Sequence, residues 1–158
     1  MDPKLLYQEM ILDHNKKPRN FGQRDAATHR AEGLNPLCGD HIWVALKVDA
    51  ETIGAIAFEG HSCAICKASA SMMTAAVKGK PVANAEALVE EFRQMATVGT
   101  PASPSPALAR LTAFAGIKDL PSRVKCAVLP WHTLHAALHQ TANATTEGYS
   151  DPAASGSH

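Results

Sequence analysis

The sequence lacks an excess of charge of either sign: 15 Lys and Arg stand against 15 Asp and Glu in 158 residues. A protein that binds nucleic acid by releasing counterions from phosphates needs a basic surplus, so no nucleic-acid partner is expected. It also lacks any apolar run near the roughly 20 residues that span a bilayer, so no membrane association is expected. The first ten residues mix acidic and basic side chains and hold no apolar stretch ending in small residues, so a secretory signal is not expected either. The setting this predicts is the cytoplasm. There the four cysteines (Cys38, Cys63, Cys66 and Cys126) stay reduced, and metal or thiol chemistry becomes a better expectation than a disulfide framework. What the chain does have is 46% hydrophobic residues over a length that can bury the core of one domain. That single domain is expected over residues 1–140, with the small, polar stretch 141–158 reading as a disordered tail.

Along the chain, Leu5, Leu6, Tyr7, Met10 and Ile11 recur near helical spacing and predict a helix over residues 4–14, ended by Pro18 and Gly22. The turn-forming stretch Asn35-Pro36-Leu37-Cys38-Gly39-Asp40 precedes a strand in which Ile42, Val44, Leu46 and Val48 alternate with Trp43, Ala45 and Lys47. Asp49-Ala50-Glu51 turns the chain into a return strand over residues 53–58, and a further strand within 28–35 fits the pattern less clearly. Helices are predicted over 64–78, from a cap at Asn84, over 106–114 beyond a Pro- and Ser-rich linker, and from about Pro121 to residue 140. The fold class is α+β: a small antiparallel sheet with helices packed on one face.

The cysteines fall at element ends, where sites shared between chain segments are assembled. Cys38 lies in the turn before a strand, Cys63 and Cys66 where a strand gives way to a helix, and Cys126 at the start of the last helix. The spacing is not a zinc ribbon or finger, since one C-x-x-C has neither a second pair nor a companion H-x3–5-H. A buried free cysteine is also an ordinary small hydrophobe. Helix N-termini favour thiolates, however, and Asp40 is two residues from Cys38. A site of three cysteines with one aspartate, or of all four cysteines, is therefore sound chemistry for zinc. A thioredoxin-like redox role is disfavoured, because the strand before this C-x-x-C belongs to a hairpin and Ala64-Ile65 separates the cysteines without a proline.

Four blocks carry a resemblance, in order: Leu6-Tyr7-Gln8-Glu9 through Pro18-Arg19-Asn20; Asn35 through Asp40; Cys63 with Ala68 through Thr74; and Arg123-Val124-Lys125-Cys126-Ala127 with Trp131. The chain resembles the SufU-type proteins of the NifU/IscU-like iron–sulfur cluster assembly superfamily over residues 5 to about 139. That resemblance implies a metal site at one end of the fold, with Cys38, Asp40, Cys63 and Cys126 on the metal-ligand positions and Cys38 on the sulfur-acceptor position. It implies zinc as cofactor, a SufS-type cysteine desulfurase as partner, and downstream iron–sulfur assembly proteins as recipients. In the implied reaction a partner histidine replaces Cys38 on zinc, and the freed thiolate takes the desulfurase's persulfide sulfur. The alternative is a scaffold on which an Fe–S cluster is built and then transferred. IscU-type scaffolds carry His directly before the last cysteine; here Lys125 stands there, which leans toward zinc. Residues 97–118 resemble an insertion of the SufU branch.

Several positions depart from the family pattern. Cys66 stands where Ser is usual, either as a passive thiol, as a replacement for Asp40 on zinc, or as an onward sulfur carrier. Asn15 replaces an aromatic residue, the approach to Cys63 has fewer glycines, and Pro130 would kink the last helix if placed deep within it. Arg123 and Lys125 read as an ordinary solvated pair or as a pair that steers the partner and supports its site. His132, His135 and His139 read as a polar or partner-facing stripe, His41 and His61 as surface groups, and Met72-Met73 as core.

Overall fold

In this computed structural model residues 3–139 and 143–145 are described. The chain runs α1 (Pro3–Lys16), β1 (His29–Asn35), β2 (Asp40–Asp49), β3 (Thr52–His61), α2 (Ala64–Val77), α3 (Val82–Thr97), α4 (Pro106–Ala109), a 3-10 helix (Thr112–Asp119), α5 (Pro121–Leu138) and β4 (Asn143–Thr145). The sheet order is β3-β2-β1-β4. Its first three strands are antiparallel, as the alternation predicts, and β4 adds a short parallel strand against Glu32, Gly33 and Leu34. The expected disordered tail is thus corrected at Asn143–Thr145; the rest of that stretch lies outside the described residues.

Ile42, Val44 and Leu46 of β2 are fully buried beneath the helices, and Trp43 on the opposite face is exposed. A bulge at Lys47/Val48 breaks the strict alternation, so that β3 sends Ile53, Ile56 and Phe58 inward. Above the sheet, Trp131 of α5 stacks on Phe92 of α3, with ring centroids 4.5 Å apart. Phe114 meets Phe92 edge-on, and Tyr7 of α1 meets Phe114 in the same way. The helices are therefore collected on one face. Among the described residues no helix is long and apolar enough to cross a membrane.

Three features of the helices differ from expectation. Leu5 and Leu12 of α1 are exposed, so its packing face is Tyr7, Met10 and Ile11. Helix α3 starts at Val82, and Asn84 is an exposed residue of its first turn rather than its cap. The predicted helix over 106–114 is instead a four-residue α4 followed by a 3-10 segment. The physical reason lies in Leu108, Leu111, Phe114 and Ile117, all buried and spaced by three, which is the repeat of a 3-10 helix.

Helix α5 carries Cys126 in its second turn and Pro130 in its interior. Pro130 removes the amide that would bond the Cys126 carbonyl in a regular helix. Neighbouring carbonyls gain side-chain donors: Ser69 of α2 donates to Ala127 O at 2.5 Å, and Thr133 to Leu129 O at 2.8 Å. The same Ser69 hydroxyl accepts from Trp131 Nε1 at 3.1 Å, tying α2 to α5. This places the two helices that carry cysteines side by side.

Gly60, at φ +129°, precedes the Cys63 turn, and a Cβ there would stand 2.1 Å from the His41 carbonyl oxygen. Backbone cannot yield as a side chain can. Gly60→Ala is expected to cost about 3 kcal/mol of stability in urea unfolding. Gly54→Ala, where the added Cβ meets only Lys47 O at 3.9 Å, is the control and should cost much less.

Candidate metal centre

The hairpin between β1 and β2 opens the site. Asn35 and Asp40 are register partners, and the turn between them is closed by Cys38 N–H donating to Asn35 O at 3.2 Å. Gly39, at φ +70°, supplies the left-handed step that returns the chain into β2. The turn projects Cys38 outward as an exposed residue while Asp40 is buried, 1% exposed.

A buried carboxylate needs partners, and Asp40 has them. Its Oδ1 accepts Cys63 N–H at 2.7 Å, and its Oδ2 accepts Asn35 Nδ2–H at 3.1 Å. Cys63 is the N-cap of α2; its sulfur accepts from Cys66 N–H at 3.4 Å and lies 4.0 Å from Asp40 Oδ2. From α5, the Cys126 sulfur comes within 3.3 Å of Cys38 Sγ and 3.5 Å of Asn35 Nδ2. Donor atoms of Cys38, Asp40 and Cys126 all lie within 4.8 Å of one another. Cys63 stands just outside that trio and lines the same cleft of about 280 Å³, together with Cys38, Ile65, Arg123 and Cys126.

The thiols are not equivalent. Hydrogen bonding with Cys126, helped by the Cys66 and Ile65 amides, lowers the Cys63 pKa to about 7 against the opposing effect of burial. The same bond with Cys63, together with burial, raises that of Cys126. Burial pushes Cys66 well up. Cys66 is wholly enclosed in the hydrophobic core, and the structure does not bring it into the donor group with Cys38 and Asp40.

The donor set fits zinc. Sulfur and carboxylate oxygen are both zinc ligands, and Zn–S bonds of about 2.3 Å place two thiolates about 3.8 Å apart in a tetrahedron. Cys38 and Cys126 would part by about half an ångström from their present 3.3 Å to meet that spacing.

Arg123 is exposed at the cleft wall, and Lys125 is half-buried beside Cys126. The histidine stripe is corrected: His132 is buried, 6% exposed, because α5 turns that face onto the core, and His139 pairs with Glu86 at 2.7 Å. His41 pairs with Glu32 at 2.7 Å and stacks on Trp43, and His61 is exposed. Met72 and Met73 are core. Asn35, read in the sequence as turn composition and as part of the block Asn35 through Asp40, was assigned no role of its own at the centre.

Comparisons with known proteins show the family and agree with the fold. The family described as the NifU-like N terminal domain matches residues 6–139. The iron-sulfur cluster assembly scaffold protein IscU of Streptococcus pyogenes serotype M1 is 39% identical over 139 residues, covering 88% of this chain and 86% of that protein. The zinc-dependent sulfurtransferase SufU of Bacillus subtilis (strain 168) is 39% identical over 133 residues, covering 84% and 89%. A crystal structure of a SUF-system iron-sulfur cluster assembly scaffold protein from Fervidobacterium islandicum AW-1 superposes with a TM-score of 0.78 at 34% identity, covering 85% of this chain and 97% of that one.

Proposed function

The chain belongs to the NifU-like N-terminal domain family of iron–sulfur cluster assembly proteins, and on that premise we propose that it is a zinc-dependent sulfur acceptor. Its partner is a SufS-type cysteine desulfurase, its acceptor is Cys38, and its zinc ligands are Cys38, Asp40, Cys63 and Cys126. One observation carries the reading. Of the four proposed ligands Cys38 alone is exposed, on a turn, while Asp40 and Cys126 are buried and Cys63 is half-buried. One sulfur can leave without dismantling the base that the other three form.

Zinc, when bound, keeps its sulfur ligands deprotonated at neutral pH. The protein's residues do the rest. The Cys38 thiolate attacks the terminal sulfur of the desulfurase's cysteine persulfide. A new S–S bond forms on Cys38, the bond to the desulfurase cysteine breaks, and that cysteine leaves as a thiolate. The proton on the transferred sulfur travels with it, so no oxidant is consumed. Arg123, at the cleft wall, adds positive charge where the departing thiolate forms. Downstream assembly proteins then take the sulfur.

Leu34, Pro36 and Leu37 form an exposed apolar collar along the chain leading to Cys38, Leu37 at 68%. Such a collar suits a protein partner better than a small solute. Leu37→Asp is expected to raise the concentration needed for half-maximal desulfurase stimulation about tenfold, a loss of about 1.4 kcal/mol in docking. Zinc content should stay unchanged.

The same sulfurs would suit a scaffold carrying an Fe–S cluster, and relatives named as scaffolds match equally well. Lys125 favours zinc, since it places an ammonium rather than a ligand beside Cys126. The deciding experiment measures the metal content of the purified chain and the turnover of a SufS-type desulfurase with and without it. Zinc together with stimulated turnover is the expected result. Zinc without stimulation overturns the transfer role, and a reconstituted cluster that moves intact to an apo-acceptor establishes the scaffold instead.

A further inference from the structure

Asn35 is wholly buried, 0% exposed, and bonds to three of the residues proposed as ligands. One side-chain nitrogen donates to Asp40 Oδ2 at 3.1 Å and to Cys126 Sγ at 3.5 Å. Its carbonyl accepts the Cys38 amide at 3.2 Å. Cys63 joins the same network through Asp40 Oδ1. The contacts come from three separate parts of the fold, the β1–β2 turn, the start of α2 and the second turn of α5. A carboxamide suits this place because both of its N–H bonds are donors, and a carboxylate and a sulfur are both acceptors.

We propose that Asn35 is the positioning residue of the centre, holding Asp40 and Cys126 in place while Cys38 leaves to accept sulfur. This rests on the ligand set proposed above. The two side-chain bonds described above go to Asp40 and Cys126, and its main chain anchors the base of the Cys38 turn. The exposed sulfur can therefore swing on its own side chain while the clamp on the buried pair stays closed. Groups that orient metal ligands in this way commonly govern affinity as strongly as a weak ligand does.

The test uses the whole chain, zinc competition against a chelator, and cobalt(II) substituted for zinc as an absorbing probe. Asn35→Ala removes the donor, and Asn35→Asp keeps the shape while replacing the NH₂ group with an oxygen that repels both acceptors. In each, the zinc dissociation constant should rise about 10- to 100-fold, and the sulfur-to-cobalt absorption should change as Cys126 loses its orientation. In a Cys38→Ser background, Asn35→Asp should weaken zinc binding by more than the product of the two single effects. A purely structural role would lower the melting temperature of the metal-free chain and leave the cobalt spectrum and the zinc constant unchanged; that result overturns the proposal. Additive losses in the double variant overturn the part that concerns Cys38 leaving. If Asn35→Ala does not fold, the isosteric Asn35→Asp decides by the same readouts. A wild-type chain that takes up neither zinc nor cobalt overturns the ligand set itself, which is a distinguishable failure.

Discussion

Cys38→Ser is expected to remove desulfurase stimulation down to background, a loss of at least about 10³-fold, while the chain stays folded. A serine hydroxyl remains protonated where a thiolate would form, and its oxygen does not displace sulfur from a persulfide. The substitution should be mild for the fold, because Cys38 is exposed and its turn is closed by main-chain contacts, the amide to Asn35 O among them. What it removes from the centre is one sulfur, 3.3 Å from Cys126. Zinc affinity should fall, but Asp40, Cys63 and Cys126 keep their mutual hydrogen bonds, so binding at high metal concentration should persist. The checks are alanine formed from cysteine by the desulfurase and the intact mass of the acceptor chain. Wild type should gain the mass of one sulfur atom and Cys38→Ser none. Sulfur found on Cys63 in the variant, with stimulation intact, would move the acceptor to the helix cap and overturn the assignment.

How much of this could be read from the residues depends on whether local or long-range physics sets each feature. Ile42, Val44 and Leu46 alternate strictly, and the strand forms as the pattern requires. Strand β1 was hard to see because His-Arg-Ala-Glu-Gly-Leu-Asn has almost no apolar rhythm. Its Gly33 is there for α5: a Cβ would meet Thr133 Oγ1 at 2.0 Å, a constraint set by a helix about a hundred residues on. Strand β4 gives no signal at three residues, since it forms only by adding to an existing edge. At the centre, motif order was enough to single out Cys38, Asp40, Cys63 and Cys126 as ligand candidates. It left open whether Cys66 joined them, because spacing cannot say which way a helix is rolled. Packing rolls α2 so that Cys66 faces the core and Cys63 the cleft. Asn35 was illegible for a related reason. Its importance depends on pairing with Asp40 across the turn and on α5 delivering Cys126 to the same point.

That roll gives the second large prediction. Asp40→Ala should weaken zinc binding about 10³-fold, or about 4 kcal/mol, and Cys66→Ser should leave it nearly unchanged. The carboxylate is buried and receives two hydrogen bonds, from the Cys63 amide and from Asn35. Deleting it therefore removes a ligand, leaves the half-buried Cys63 amide without its acceptor and takes one acceptor from Asn35, an unmet buried donor costing roughly 1–3 kcal/mol in the folded chain. Asp40→Asn separates these effects: it keeps a carbonyl oxygen for one donor while removing the charge, and should fall between wild type and Asp40→Ala. Cys66→Ser places a hydroxyl in the apolar core, so its cost of about 1–2 kcal/mol should appear in the melting temperature and not in metal content. Net charge cannot distinguish the two ligand sets, because three thiolates with a carboxylate carry the same charge as four thiolates. Cobalt substitution can, since its charge-transfer absorption grows with the number of sulfur ligands. Three-sulfur intensity that survives Cys66→Ser, and is lost with the metal in Asp40→Ala, is the expected pattern. Four-sulfur intensity that falls by one thiolate in Cys66→Ser, with Asp40→Ala retaining metal, would put Cys66 on zinc and require α2 to turn at its first residue.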